Sequence, residues 1–183
     1  ALALLAVTPP VALSAEIEGR VRVTTRLTKK RVSLPQIYER NAALESPEPK
    51  SATLEDELRR VVLYIDSNAL PAKPQRTAMN QTQRRFDPEI VAVPAGSTVS
   101  FPNSDPIFHN VFSLSKTKSF DLGNYPAGES RSITFTKPGL VQIHCHLHPN
   151  MTAAVLVTPN NWIIQPDKNG SFTFPSVPPG KYT

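Results

Sequence analysis

Nineteen prolines scattered through 183 residues, against only seven glycines, set the tightest limit on what this chain can fold into. Inside a helix, proline removes a hydrogen bond and drives its ring into the preceding turn, whereas at strand ends and in turns it is tolerated. Here the prolines punctuate short runs rich in Val, Ile, Thr and Phe, such as IVAVP, STVSFP, SITFTKP and AAVLVTP. Runs of that length between turn residues predict an all-β protein and argue against a helical bundle.

The strand signals are most regular from Phe86 onward. FDPEIVAVPAG, STVSFPNSD, FHNVFSL, SITFTKPG, LVQIHC and MTAAVLVTP each read as a strand, with turns such as YPAGES between them. Val99 and Phe101 share one face of their run. That spacing predicts a sandwich. Upstream, EIEGRVRVTTRL alternates through Ile17, Val21 and Val23, with a break at Gly19. Residues 29–52 are charged and proline-containing, as expected of an exposed linker. A short helix is expected over TLEDELRR, capped by Ser51 or Thr53, with its acidic residues in the first turn. RRVVLYID then reads as a strand. Beyond Pro159, Asn169-Gly170 signals a hairpin turn followed by the alternating Ser171–Phe174.

Charge narrows the function classes. The formal net charge is +5, but residues 84–158 carry six basic and five acidic side chains. No basic stripe interleaved with aromatics is present, so a single-stranded nucleic-acid surface is not expected. The chain has one cysteine, Cys145, which excludes an internal disulfide framework. The opening ALALLAVTPPVALSAE has the apolar run and small residues of the end of a secretory signal peptide, so residues 1–15 are expected to be a remnant of one and the protein to be exported, as to a periplasm. No other run approaches the roughly 18 apolar residues of a membrane span.

The four histidines are His109, His144, His146 and His148, and three of them crowd around Cys145 in QIHCHLHPNM. In the period-two pattern of Leu140 to Cys145, the cysteine shares a face with Val141 and Ile143 and should point into the sandwich. Cys145, His148 and Met151 are each three residues apart, so one tight loop can wrap all three around an ion. His109, in FHNVF, must come from a neighbouring strand end. Two imidazoles, a thiolate and a thioether lie between the preferences of Cu(II) and Cu(I), so little moves when an electron arrives. Zinc also accepts Cys and His, but an axial Met favours copper. Taken singly, Cys145 reads as an ordinary buried cysteine, Met151 as a core residue, and Asn110 as a turn residue.

The set H-N-V…C-x-x-H-P-x-M resembles the plastocyanin and amicyanin group of type 1 blue copper proteins, the cupredoxins, over about residues 86–157. AVPAGSTVSFPNSD is similar to that family's strand and loop ahead of the first ligand. The resemblance implies a Greek-key β-sandwich with one type 1 copper held by His109, Cys145, His148 and Met151. It implies single-electron transfer between a redox donor and acceptor, unidentified here, with no substrate transformed. It further implies an exposed His148 edge and an Asn110 that ties the ligand loops together.

The string H-C-H around Cys145 is also similar to multicopper oxidases, but four histidines are too few to build their trinuclear cluster. His144 and His146 are therefore expected to be solvated neighbours of the site, or else ligands of an extra ion in a copper-trafficking module that holds metal without shuttling electrons. No Ser-His-Asp set or phosphate loop supports a hydrolase or transferase. Finally, GSFTFPSVPPGKY resembles the end of carboxypeptidase regulatory-like β-sandwich domains. The expected organisation is a cupredoxin domain over 74–158 and an incomplete regulatory-like segment over 159–183. The strands of 16–73 would complete this second small sandwich.

Overall fold

The computed structural model describes residues 14–25 and 53–183. The signal-peptide expectation (save for its last two residues) and the whole of the expected linker lie outside the described residues.

Along the chain come β1 (Ala15–Arg20), α1 (Leu54–Leu58), β2 (Leu63–Tyr64), β3 (Arg76–Ala78), β4 (Asn80–Thr82), β5 (Arg85–Asp87), β6 (Ile90–Pro94) and β7 (Ser97–Pro102). They are followed by β8 (His109–Leu114), β9 (Ser119–Tyr125), β10 (Ser130–Phe135), β11 (Gly139–His144), β12 (Thr152–Thr158), β13 (Ile163–Ile164) and β14 (Ser171–Val177). The fold is an all-β sandwich with a second, smaller set of strands.

The sandwich has one sheet ordered β10-β7-β3 and a second ordered β6-β12-β11-β8-β9. Alternation decides which side chains face inward. Val99 and Phe101 on β7, Phe135 on β10, Val111 on β8, Val141 and Ile143 on β11 and Val155 on β12 are fully buried in one cluster. Each such side chain removed from water contributes about 1.5–3 kcal/mol. Gly96 turns β6 into β7 at φ 89°, a left-handed conformation that glycine adopts without strain. β6 runs parallel to β12, with Ile90 opposite Ala154 and Pro94 opposite Thr158. β11 is antiparallel to both β12 and β8. The end of β11 and the starts of β8 and β12 therefore share one end of the sheet.

The remaining strands pair across the length of the chain. β1 is antiparallel to β14, with Ile17 opposite Phe174, and β2 is antiparallel to β13. Ile65, Leu70, Phe174 and Val177 form a separate small core beneath Trp162 and Phe172.

Several details differ from the sequence reading. The strand expected over RRVVLYID shrinks to Leu63–Tyr64, because its one partner among the described residues, β13, is equally short. Asn169-Gly170 does lie in a turn, braced by Asp167 Oδ1, which accepts from the N–H groups of Asn169 and Ser171. The strands on its two sides, however, pair with β2 and β1 and not with each other. The helix starts at Thr53, whose hydroxyl accepts from the Asp56 N–H while the Asp56 carboxylate accepts from the Thr53 N–H. β3, β4 and β9 were not expected. The first two lie in polar sequence without apolar alternation.

Candidate metal centre

All four candidate ligands gather at the end of the sheet that β8, β11 and β12 share. His109 opens β8, Cys145 follows β11, Met151 precedes β12, and His148 lies in the loop between the last two. That loop is pinned by its own backbone: the Met151 N–H donates to the His148 carbonyl at 2.9 Å and the Cys145 N–H to the Met151 carbonyl at 3.3 Å.

His109 Nδ1 lies 3.1 Å from His148 Nδ1, and Cys145 Sγ lies 4.0 Å and 3.7 Å from those two nitrogens. These three donors form the one His/Cys/Asp/Glu grouping among the described residues that is compact enough to hold a metal ion. Metal–nitrogen bonds of about 2.0 Å and a metal–sulfur bond of about 2.3 Å in a trigonal plane require nitrogen–sulfur edges of about 3.7 Å. The observed edges are close to that, so the donor set fits a first-row metal ion without rearrangement. Met151 is buried in the same apolar cluster as Cys145.

Electrostatics prepare the thiol for this role. Burial pushes the Cys145 thiol up, but hydrogen bonds from His109, His148 and the N–H groups of Asn110 and Leu147 outweigh it and bring it down to about 5. The thiolate is the form that binds metal. For His109, burial favours the neutral ring, yet Cys145 and Asp105 outweigh it and raise its pKa above the ordinary 6.5.

Exposure separates the two histidines. His109 is 0% exposed, whereas His148 is half-buried. Beside them in sequence, Phe108 is 57% and Leu147 45% exposed, large apolar side chains left on the surface.

Asn110 joins the ligand segments more closely than a backbone tie. Its N–H donates to Cys145 Sγ at 3.4 Å and its Oδ1 accepts from the His146 N–H at 3.4 Å, while its Nδ2 donates to Asp121 Oδ1 at 2.7 Å. His146 is exposed and stacks on Phe112, with ring centroids 3.6 Å apart and planes within 3°. His144 sits half-buried on β11 opposite Phe112.

Two polar residues escaped the sequence reading. Asp105 Oδ2 lies 2.7 Å from His109 Nε2, and Asn103 Oδ1 accepts from the Asp105 N–H at 3.0 Å. The one available signal was an aspartate four residues ahead of His109 in PNSDPIFH.

Fold and donor set together describe a β-sandwich with a His-Cys-His group at one end of a sheet that could hold a metal ion. No family model matches this chain, and no curated protein matches it. Among solved structures, it aligns with the copper-containing nitrite reductase from Thermus scotoductus SA-01 at 25% identity and TM-score 0.43, over 52% of this chain and 25% of that one. The purple cupredoxin from Nitrosopumilus maritimus aligns at 21% identity and TM-score 0.41, over 45% of this chain and 99% of that one. Amicyanin from Paracoccus versutus aligns at 22% identity and TM-score 0.42, over 52% of this chain and 96% of that one. The chain thus spans about a quarter of the nitrite reductase and nearly all of the two small cupredoxins.

Proposed function

We propose that this protein is an exported carrier of single electrons that would hold one type 1 copper through His109, Cys145, His148 and Met151. The observation that carries this reading is the convergence of two imidazole nitrogens on a buried, low-pKa thiol within 4.0 Å. Bound copper would supply a one-electron couple between Cu(I) and Cu(II). The residues supply the rest. Cys145 offers a thiolate at neutral pH, and His109 and Cys145 keep water away through their burial. The partly exposed His148, with the exposed Leu147 beside it in sequence, offers an edge where a redox partner can approach without stripping charged groups of water. Among the described residues, no helix is long and apolar enough to cross a membrane.

The domain reading extends this proposal. Residues 74–158 form the copper domain, inserted between the strands of 16–73 and the regulatory-like segment 159–183. The pairing of β1 with β14 and of β2 with β13 supports it, as does the separate core around Phe174.

The trafficking alternative needs His144 and His146 as ligands of a further ion. The stacking of His146 on Phe112 gives that ring a packing role and weakens this alternative. A Cu(II) titration followed by visible absorption and EPR, with Cys145→Ser alongside, separates the two. An intense blue band with narrow copper hyperfine splitting, bleached reversibly by a reductant and absent in the variant, is the expected outcome. A pale spectrum that the substitution leaves unchanged would overturn the electron-transfer reading and favour copper on the outer histidines.

A further inference from the structure

Two successive residues of the β4–β5 hairpin, Gln83 and Arg84, have φ of 51° and 54°. Tight hairpin turns with two left-handed residues ordinarily use Asn or Gly there, because a side chain in that conformation is strained. Here neither residue is Asn or Gly, so something else must hold the turn. That something is Asp105. Its Oδ1 accepts from the Gln83 N–H at 2.6 Å and its Oδ2 from the Arg84 N–H at 2.8 Å. Adjacent N–H groups in this arrangement form a concave anion cradle. The hairpin is also fastened to the Asp105 loop: the Ser104 N–H donates to the Gln81 carbonyl at 2.9 Å, and the Ser104 hydroxyl to Asn80 Oδ1 at 2.9 Å. From the inner side, Asn103 Nδ2 donates to the carbonyls of Ile107 and Tyr125.

Asp105 is almost fully buried, yet its remaining contact is with His109, Oδ2 to Nε2 at 2.7 Å. The two turn N–H groups hold the carboxylate so that Oδ2 faces Nε2 of His109, the ring atom turned away from Cys145 and His148. Nδ1, which faces Cys145 and His148, is then the free donor nitrogen.

We propose that Asp105, gripped by the Gln83–Arg84 turn, is the positioning residue of the copper site. It fixes the tautomer and ring plane of His109 and makes that imidazole a stronger donor, weighting the site toward Cu(II). A carboxylate behind a metal-bound imidazole acts in this way by holding the ring and raising its basicity. The inference rests on the copper reading above. It assigns a function to a hairpin more than 20 residues away in sequence from His109.

The test compares wild type with Asp105→Asn, which keeps the side chain's size but cannot accept from the turn and from His109 with both oxygens. Cu(II) and Cu(I) affinities are measured separately, with the reduction potential. The expected result is a fall in Cu(II) affinity of about 10–100-fold and a smaller fall for Cu(I). Each tenfold difference between the two raises a one-electron potential by about 59 mV. Equal losses for both oxidation states, or none, would overturn the proposal and leave Asp105 a brace of its loop. A second measurement needs no variant: nitrogen-15 NMR of the wild-type, metal-free protein at a pH where the His109 ring is neutral. It should show His109 protonated at Nε2, with that proton slow to exchange. A proton on Nδ1 overturns the proposal even if Asp105→Asn fails to fold. Failure of the underlying reading looks different, because wild type itself would then show no blue band with Cu(II).

Discussion

The backbone N–H of Asn110 points at Sγ of Cys145 across 3.4 Å, linking the start of β8 to the end of β11 through the sulfur itself. A donor on the sulfur stabilises the thiolate. It also ties the two ligand segments together before any ion is present. The Asn110 side chain completes the tie through the His146 N–H and Asp121. Asn110→Ala keeps the backbone donor and loses both side-chain bonds. The blue spectrum should survive while copper affinity falls about 10–100-fold, measured by competition with a chelator. Unchanged affinity would show that the loop holds its shape without the side chain.

Burial predicts different behaviour for the two histidines. His148→Gly should open a gap connected to solvent, and added imidazole should enter it and restore the blue band. His109→Gly should leave a gap sealed from solvent, since His109 is 0% exposed, and imidazole should not rescue it. Visible absorption during an imidazole titration of each copper-loaded variant checks this. Rescue at 109 would mean that the pocket opens readily.

The metal-free protein should carry a thiolate at neutral pH. Burial raises the Cys145 pKa, but the bonds from His109 and His148 prevail and lower it from 9.0 to about 5. Its contribution to stability is therefore complete above pH 9.0 and declines as pH falls toward about 5. His109, raised above 6.5, contributes in the opposite sense: fully below 6.5, and less as pH rises through its folded value. The two trends oppose each other around neutrality. Ultraviolet thiolate absorbance should titrate with a midpoint near 5 in the folded protein. In denaturant the midpoint should return toward the ordinary 9.0. A folded midpoint equal to the unfolded one would remove the thiolate argument.

Tyr125 is buried, and burial pushes its hydroxyl up to about 12. The hydroxyl donates to the Phe101 carbonyl at 2.8 Å and accepts from Gln81 Nε2 at 2.6 Å, joining β9, β7 and β4. Tyr125→Phe keeps the ring and removes both hydroxyl bonds, while Gln81 Nε2 keeps the Phe101 and Pro102 carbonyls as acceptors, so the cost is about 0.5–1.5 kcal/mol. The urea midpoint should fall with an unchanged slope. A midpoint equal to wild type would mean that water takes the place of the hydroxyl.

Much of the sandwich was legible because its strands bury one face. Val99 and Phe101, or Val141 and Ile143, alternate with polar neighbours, and period-two alternation is a pattern that a chain can display without its partners. β3 and β4 left no such trace. Gln81 is fully buried but polar, held by Tyr125 and the Phe101 carbonyl, and nothing local marks it as interior. RRVVLYID misled for the opposite reason: an apolar run extends as a strand only as far as a partner strand runs beside it.

The sequence by itself determined the chemistry and local spacing of the donors. Cys145, His148 and Met151 fall within one seven-residue loop, and covalent connection alone keeps them within reach of one another. Only the tertiary structure decided what surrounds them. It brought His109 from another strand to 4.0 Å from the sulfur, turned its Nδ1 inward, and set Asp105 and the Gln83–Arg84 turn behind it. Those contacts join single polar atoms from segments distant in sequence. Such pairings have no period and no composition, so they come into being only when the sheets pack.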